Sequence, residues 1–144
     1  MQTLKIKPLT EERFIPPRKG SCQAAAFDVY TQDDVVFNDE PRTVKLGFAM
    51  EIPEGYAAVL IPRSGFGNKL GMRLMGTVGL IDSDFRGEIL ATIQLAKGKE
   101  LQLARGERFL QFYLMEVPKF GIEIVSELTE TKRGSGGYGS TGTK

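Results

Sequence analysis

Thr43-Val44-Lys45-Leu46-Gly47-Phe48-Ala49-Met50-Glu51-Ile52, then Pro53-Glu54-Gly55, then Tyr56-Ala57-Ala58-Val59-Leu60-Ile61, is the stretch that decides the fold. The first ten residues read as one strand, the proline and glycine as a turn, and the last six as a second strand. The same rhythm continues outward. Leu4-Lys5-Ile6-Lys7 alternates on the upstream side. Downstream come Glu88-Ile89-Leu90-Ala91-Thr92-Ile93-Gln94-Leu95, a turn at Lys97-Gly98-Lys99, and Leu101-Gln102-Leu103. Arg105-Gly106-Glu107-Arg108 then breaks the run before Phe109-Leu110-Gln111-Phe112-Tyr113-Leu114-Met115. Short strands joined by glycine turns predict an all-β sandwich or jelly roll, not alternating βαβ units. The one helix expected is short, over Ser64–Leu70, and no internal repeat is visible. The chain divides into a body, residues 1–132, and a glycine-rich arm, residues 133–144, where composition changes abruptly.

Composition narrows the chemistry. The 144 residues suffice for one domain with a real core, and 41% hydrophobic with 26% charged residues is ordinary for a globular protein. There is no histidine, and Cys22 is the single cysteine. An intrachain disulfide and a Cys/His zinc site are therefore excluded. A general base must be a carboxylate or a lysine, and a metal should be a hard ion held by oxygens, such as magnesium. A net charge of +1 argues against a duplex nucleic-acid binder. Met1-Gln2-Thr3-Leu4-Lys5-Ile6-Lys7 lacks the apolar centre of a signal peptide, and no run is long enough to span a membrane, so a cytoplasmic protein is expected.

Four segments carry candidate chemistry. Arg133-Gly134-Ser135-Gly136-Gly137-Tyr138-Gly139-Ser140-Thr141-Gly142 combines glycines, hydroxyls, an arginine fork and one aromatic ring. Such a segment packs poorly but suits a polyphosphate clamp with a stacking face; it also reads as a flexible tail. Gly79-Leu80-Ile81-Asp82-Ser83-Asp84-Phe85-Arg86-Gly87-Glu88-Ile89 sets charged groups around a turn, as a site or as a solvated hairpin tip. Pro62-Arg63-Ser64-Gly65 opens the short helix. Ser64 as its cap, first-turn N–H groups and Arg63 would make an anion site, or simply a capped turn. In Ala25-Ala26-Phe27-Asp28-Val29-Tyr30 an acid stands among small and apolar residues and needs a partner, a phosphate-bound cation being one candidate.

Taken in order, these segments and Gly106-Glu107-Arg108-Phe109-Leu110-Gln111 closely resemble the five short motifs of the homotrimeric dUTPase family, spread over nearly the whole domain. Each is weak alone; five in order are specific. The resemblance implies a distorted jelly-roll subunit in a threefold homotrimer, with composite active sites and an arm reaching over from a neighbour. It implies hydrolysis of dUTP to dUMP and pyrophosphate with Mg²⁺, which limits uracil incorporation into DNA and supplies dUMP for dTMP synthesis. By resemblance Asp82 is the general base, Asp28 supports the metal through water, and Arg63, Ser64, Gly65, Gln111 and Arg133 hold phosphates with arm residues Gly139 and Ser140. Gly76, Thr77, Gly79 and Ile81 line the base site, Phe85 packs on the deoxyribose, and Tyr138 closes over the uracil.

The chain departs from the family pattern at three places: Ala26 stands for the usual glycine, Phe85 for the usual tyrosine, and Gly76 for an asparagine that reads the base in several members. The backbone of residues 74–79 must then match the N3–H and O4 of uracil. Cytosine reverses that polarity and would leave buried groups unpaired, at about 1–3 kcal/mol each. A dCTP deaminase on the same fold carries different residues around the third motif and lacks this arginine-led tail. The intact Asp82 argues against a non-catalytic, nucleotide-binding regulator.

Overall fold

The computed structural model describes residues 3–10, 12–139 and 142. Its elements are β1 (Lys5–Pro8), β2 (Phe27–Tyr30), β3 (Val35–Phe37), β4 (Arg42–Lys45), β5 (Phe48–Glu51), β6 (Tyr56–Pro62), α1 (Ser64–Leu70), β7 (Arg73–Leu74), β8 (Gly79–Ile81), β9 (Leu90–Gln94), β10 (Leu101–Leu103) and β11 (Arg108–Glu116). One sheet has the order β2-β11-β6-β8, a second β4-β9-β7, and β1-β5 and β3-β10 form separate pairs. Every pairing is antiparallel. The strands wrap one core built on Phe37, Phe48, Phe109, Phe112, Leu60 and Ile93, so the all-β jelly-roll expectation holds.

The deciding stretch needs one correction. Residues 43–52 are two strands, not one. β4 pairs with β9, whereas β5 pairs with β1. The chain changes sheet at Leu46, which is wholly buried, and Gly47, whose φ is +79°. That φ is strained for any residue with a Cβ, and a Cβ there would also come within 3.1 Å of Gln32 Cγ. The turn after residue 52 behaves as read, with the Tyr56 N–H donating to the Pro53 carbonyl at 3.2 Å.

Strand β11 is bonded on both edges, Gln111 standing opposite Asp28 of β2 and Ile61 of β6. Period-two alternation would put Arg108 on the buried Leu110–Phe112 face. A bulge between Arg108 and Leu110 prevents this. Phe109 is the extra residue; it enters the core and stacks on Phe37 at 6.0 Å, while Arg108 stays exposed. Bulges commonly re-aim a side chain in this way.

The last strand is tied off where the Val117 N–H donates to the Gly55 carbonyl and Lys119 pairs with Glu54 at 2.8 Å. The hydrogen bond of that pair, then its charge attraction, lowers the Glu54 pKa and raises that of Lys119. Both groups are solvated, so the tie is weak. Beyond it the described chain forms no strand or helix. Phe120, Ile122, Ile124 and Leu128 stand in solvent, Ile122 97% exposed.

Phe112 is buried and stacks on Phe27 at 5.2 Å. Phe112→Ala should cost about 3–5 kcal/mol, read as a lower urea midpoint at unchanged m-value. A loss below about 1 kcal/mol would mean that the core does not centre on β11.

Candidate active site

Three neighbouring strands assemble the first half of the site. Asp28 on β2 lies opposite Gln111 on β11, and β6 delivers Arg63 just past its end. The Asp28 side chain is only 14% exposed. Its Oδ1 sits 3.4 Å from Arg63 Nε and its Oδ2 3.4 Å from Arg108 Nη1. The partner that the sequence demanded for this acid is therefore a pair of guanidiniums. Two cations on one anion leave a net positive charge at the mouth, which suits a phosphate chain. Gln111 Nε2 donates to the Pro62 carbonyl at 3.4 Å and shares a cavity of about 480 Å³ with Ala26, Asp28 and Tyr113.

Helix α1 adds backbone donors, though not as expected. Its cap is Arg63, with no side-chain capping bond, and Ser64 is the first helical residue. The Arg63 carbonyl accepts the Phe66 and Gly67 N–H groups at 3.2 and 3.1 Å. The N–H groups of Ser64 and Gly65 precede the first intrahelical bond and have no partner within the helix. Arg63, Ser64, Gly65 and Lys69 line a cleft of about 160 Å³.

The second half lies beyond β8. Between β7 and β8 the chain reverses through Gly76 and Thr77, with φ of +88° and +77°. The Thr77 N–H bonds the Leu74 carbonyl at 2.9 Å. A positive φ is unusual for a β-branched residue and marks a backbone held by its surroundings. Gly79 then packs flat on Leu60, where a Cβ would stand 3.1 Å from Leu60 Cβ. A cleft of about 320 Å³ follows, bordered by Leu60, Gly79, Ile81, Asp82, Phe85 and Ile89. Asp82 and Phe85 are both exposed at its rim.

Within one chain these halves stay apart: Asp28, Arg63 and Gln111 belong to one group, and Asp82 and Phe85 to another cleft. The described residues of the arm join neither. Arg133 Nε donates to the Gly136 carbonyl at 2.8 Å, within the arm itself. Tyr138 is fully exposed, with φ +46°, and Gly139 has φ +83°. Ser140 lies outside the described residues. Among the described residues no three of His, Cys, Asp and Glu gather as metal ligands.

Similarity to known proteins shows which family the chain belongs to. The dUTPase family model matches residues 12–142. The chain belongs to the dUTPase family. It is 39% identical over 140 residues to the deoxyuridine 5′-triphosphate nucleotidohydrolase of Nautilia profundicola, covering 96% of this chain and 98% of that one. Its activity is that of a dUTP diphosphatase. The fold matches the dUTPase of Staphylococcus bacteriophage 80alpha bound to dUPNHPP, with a TM-score of 0.88 at 24% identity over 99% of this chain and 100% of the other. It also matches a mutant dUTPase of phage phi11 of S. aureus described with a structural Mg(II) ion, at a TM-score of 0.77 and 21% identity over 88% and 98%.

Two residues that the structure brings to this region, Arg108 beside Asp28 and Lys69 beside Arg63, are not among the site residues expected from the sequence. Arg108 reads there only as part of the break before Phe109 and of the fourth motif; the bulge that sets it beside Asp28 leaves no mark in the periodicity. Lys69 was legible in principle, since it follows Gly65 by four residues and shares its helix face.

Asp28→Asn keeps the shape of the side chain and removes the charge that gathers Arg63 and Arg108. kcat/KM for dUTP should fall about 10- to 100-fold with the melting temperature nearly unchanged. Wild-type pyrophosphate release would show that the arginines hold their places without the carboxylate.

Proposed function

We propose that the chain hydrolyses dUTP to dUMP and pyrophosphate by in-line attack of water on the α-phosphorus, in a homotrimer whose sites are shared between subunits. Asp82 is the general base: it orients the water and takes its proton as the new P–O bond forms. With no histidine in the chain, a carboxylate is the apt group for that step. Arg63, Arg108 and Lys69, the Ser64 and Gly65 N–H groups, Gln111 and the arm's Arg133 hold the triphosphate and carry the charge that builds on departing pyrophosphate. Asp28 keeps the two guanidiniums in register for that task.

The donor set fits a magnesium ion that arrives on the triphosphate rather than one caged by protein. One carboxylate, already ion-paired, lies beside the phosphate groups, so Asp28 would meet the ion through water. Magnesium would neutralise phosphate charge and fix the geometry of the chain of phosphates.

The turn at residues 74–79 reads uracil through its backbone, Ile81 and Gly79 wall the pocket, and Phe85 lies against the deoxyribose, where a 2′-hydroxyl would have neither room nor partner. Residues 1–132 form the body; the arm closes over the substrate, Tyr138 covering the base and Gly139 and Ser140 meeting the phosphates. The observation that carries the reading is the separation of the Asp82 cleft from the Asp28–Arg63 group in one chain, together with a stretch ahead of the arm, residues 120–128, whose Phe120, Ile122, Ile124 and Leu128 are exposed. A second and a third copy supply the missing halves and bury that stretch. In the cell the enzyme would work in the cytoplasm, keeping uracil out of DNA and supplying dUMP; among the described residues no helix is long and apolar enough to cross a membrane.

Purified protein should release pyrophosphate from dUTP and very little from dCTP or UTP, and light scattering should give three times the chain mass. Equal turnover of dCTP, or a fully active monomer, would refute the proposal. Asp82→Asn should bind dUTP yet lose about 10²–10⁴-fold in kcat. Retention of more than about a tenth of the rate would assign the base elsewhere.

A further inference from the structure

Phe85 and Asp82 belong to one turn. The Phe85 N–H donates to the Asp82 carbonyl at 3.2 Å, the pattern of a β-turn. Arg86 fastens it, its Nη1 donating to the Ser83 carbonyl at 2.6 Å and to the Phe85 carbonyl at 3.0 Å. These bonds set the backbone of Phe85 but not its ring, which still has several staggered χ1 choices. The ring is 46% exposed, so burial alone does not choose for it.

The constraint on the ring lies two residues on. A Cβ added to Gly87 would stand 2.5 Å from Phe85 Cζ, 3.0 Å from Cε2 and 3.3 Å from Cε1. The three nearest atoms all belong to that one ring, so its tip rests on the bare Cα of Gly87. Gly87 is not among the residues with positive φ. Glycine is therefore not needed here for backbone freedom; its missing side chain is the space that the ring fills.

We propose that Gly87 is a positioning residue for sugar recognition: it is the seat that holds the Phe85 ring where the deoxyribose arrives, and any side chain at 87 turns the ring away. The inference rests on the reading of Phe85 given above. An alanine would intrude nearly an ångström inside the 3.4 Å at which ordinary contact begins. Backbone atoms are not the obstacle; the exposed ring is, so the ring moves and the fold absorbs the change. A misplacement of that size in a group that positions substrate costs on the order of 10²-fold.

The test is a double-mutant cycle on the full-length enzyme with Gly87→Ala, Phe85→Ala and the pair, measuring kcat and KM for dUTP and for UTP, with melting curves alongside. Gly87→Ala should melt within about 2 °C of wild type. It should lower kcat/KM for dUTP roughly 10- to 100-fold and narrow the preference for dUTP over UTP. In the Phe85→Ala background the same change should matter less than about twofold, because no ring remains to be displaced. Wild-type kinetics for Gly87→Ala beside an impaired Phe85→Ala would overturn the proposal and leave the reading of Phe85 standing. An equal loss in both backgrounds would also overturn it, since Gly87 would then act independently of the ring. An unchanged dUTP/UTP ratio in Phe85→Ala would remove the sugar reading itself, and the seat with it.

Discussion

Strand β11 is hydrogen-bonded along both edges, and the rest of the molecule depends on that double pairing. Through it β2 and β6 are held in register, which sets Asp28, Gln111 and Ile61 in one row across the sheet. One face of the strand supplies Leu110 and Phe112 to the core. The bulge at Phe109 sends a ring inward and leaves Arg108 outside, next to Asp28. Core packing and phosphate electrostatics are thus two consequences of one strand. Where it ends, with Glu54 and Gly55 holding Lys119 and Val117, the regular structure of the described chain ends too.

On the proposed reading, the site built on this frame is half of a site. Asp28, two arginines and the start of α1 prepare a positive mouth, while Asp82 and Phe85 sit on a turn beyond β8 that opens into a different cleft. The stretch ahead of the arm exposes Phe120, Ile122, Ile124 and Leu128, apolar surface that nothing among the described residues covers. Both features ask for further copies. On the same reading, an arm that closes over the substrate would give up backbone freedom worth about 1–2 kcal/mol per residue, a cost that triphosphate contacts would offset.

Much of this was legible in the residues. Turn signals and alternation foretold β1, β6, β10 and β11 almost to the residue, and the absence of histidine directed attention to carboxylates. Failures occurred where a local pattern met a tertiary constraint. Residues 43–52 look continuous because no proline or paired turn residue interrupts them, yet Leu46 must bury and Gly47 must turn for the chain to change sheets. Ser64 has the chemistry of a cap, but the chain enters the helix from β6 with Arg63 in the extended conformation, so the serine falls one place late. Arg108 needs a bulge that no periodicity reveals. The demand of Asp28 for a partner was readable, but the partners come from residues 63 and 108, distant in sequence.

The central claim is that catalysis needs groups from different copies of the chain, and one measurement tests it directly. Chains carrying Asp82→Asn with an intact arm are unfolded and refolded together, in equal amounts, with chains that keep Asp82 but lack residues 133–144. Each parent alone should be nearly inactive. If Asp82 and the arm of one site come from different subunits, random assembly should restore about a quarter of wild-type dUTP hydrolysis. If the mixed oligomers form and stay as inactive as their parents, one chain supplies both groups and the account of a shared site is wrong.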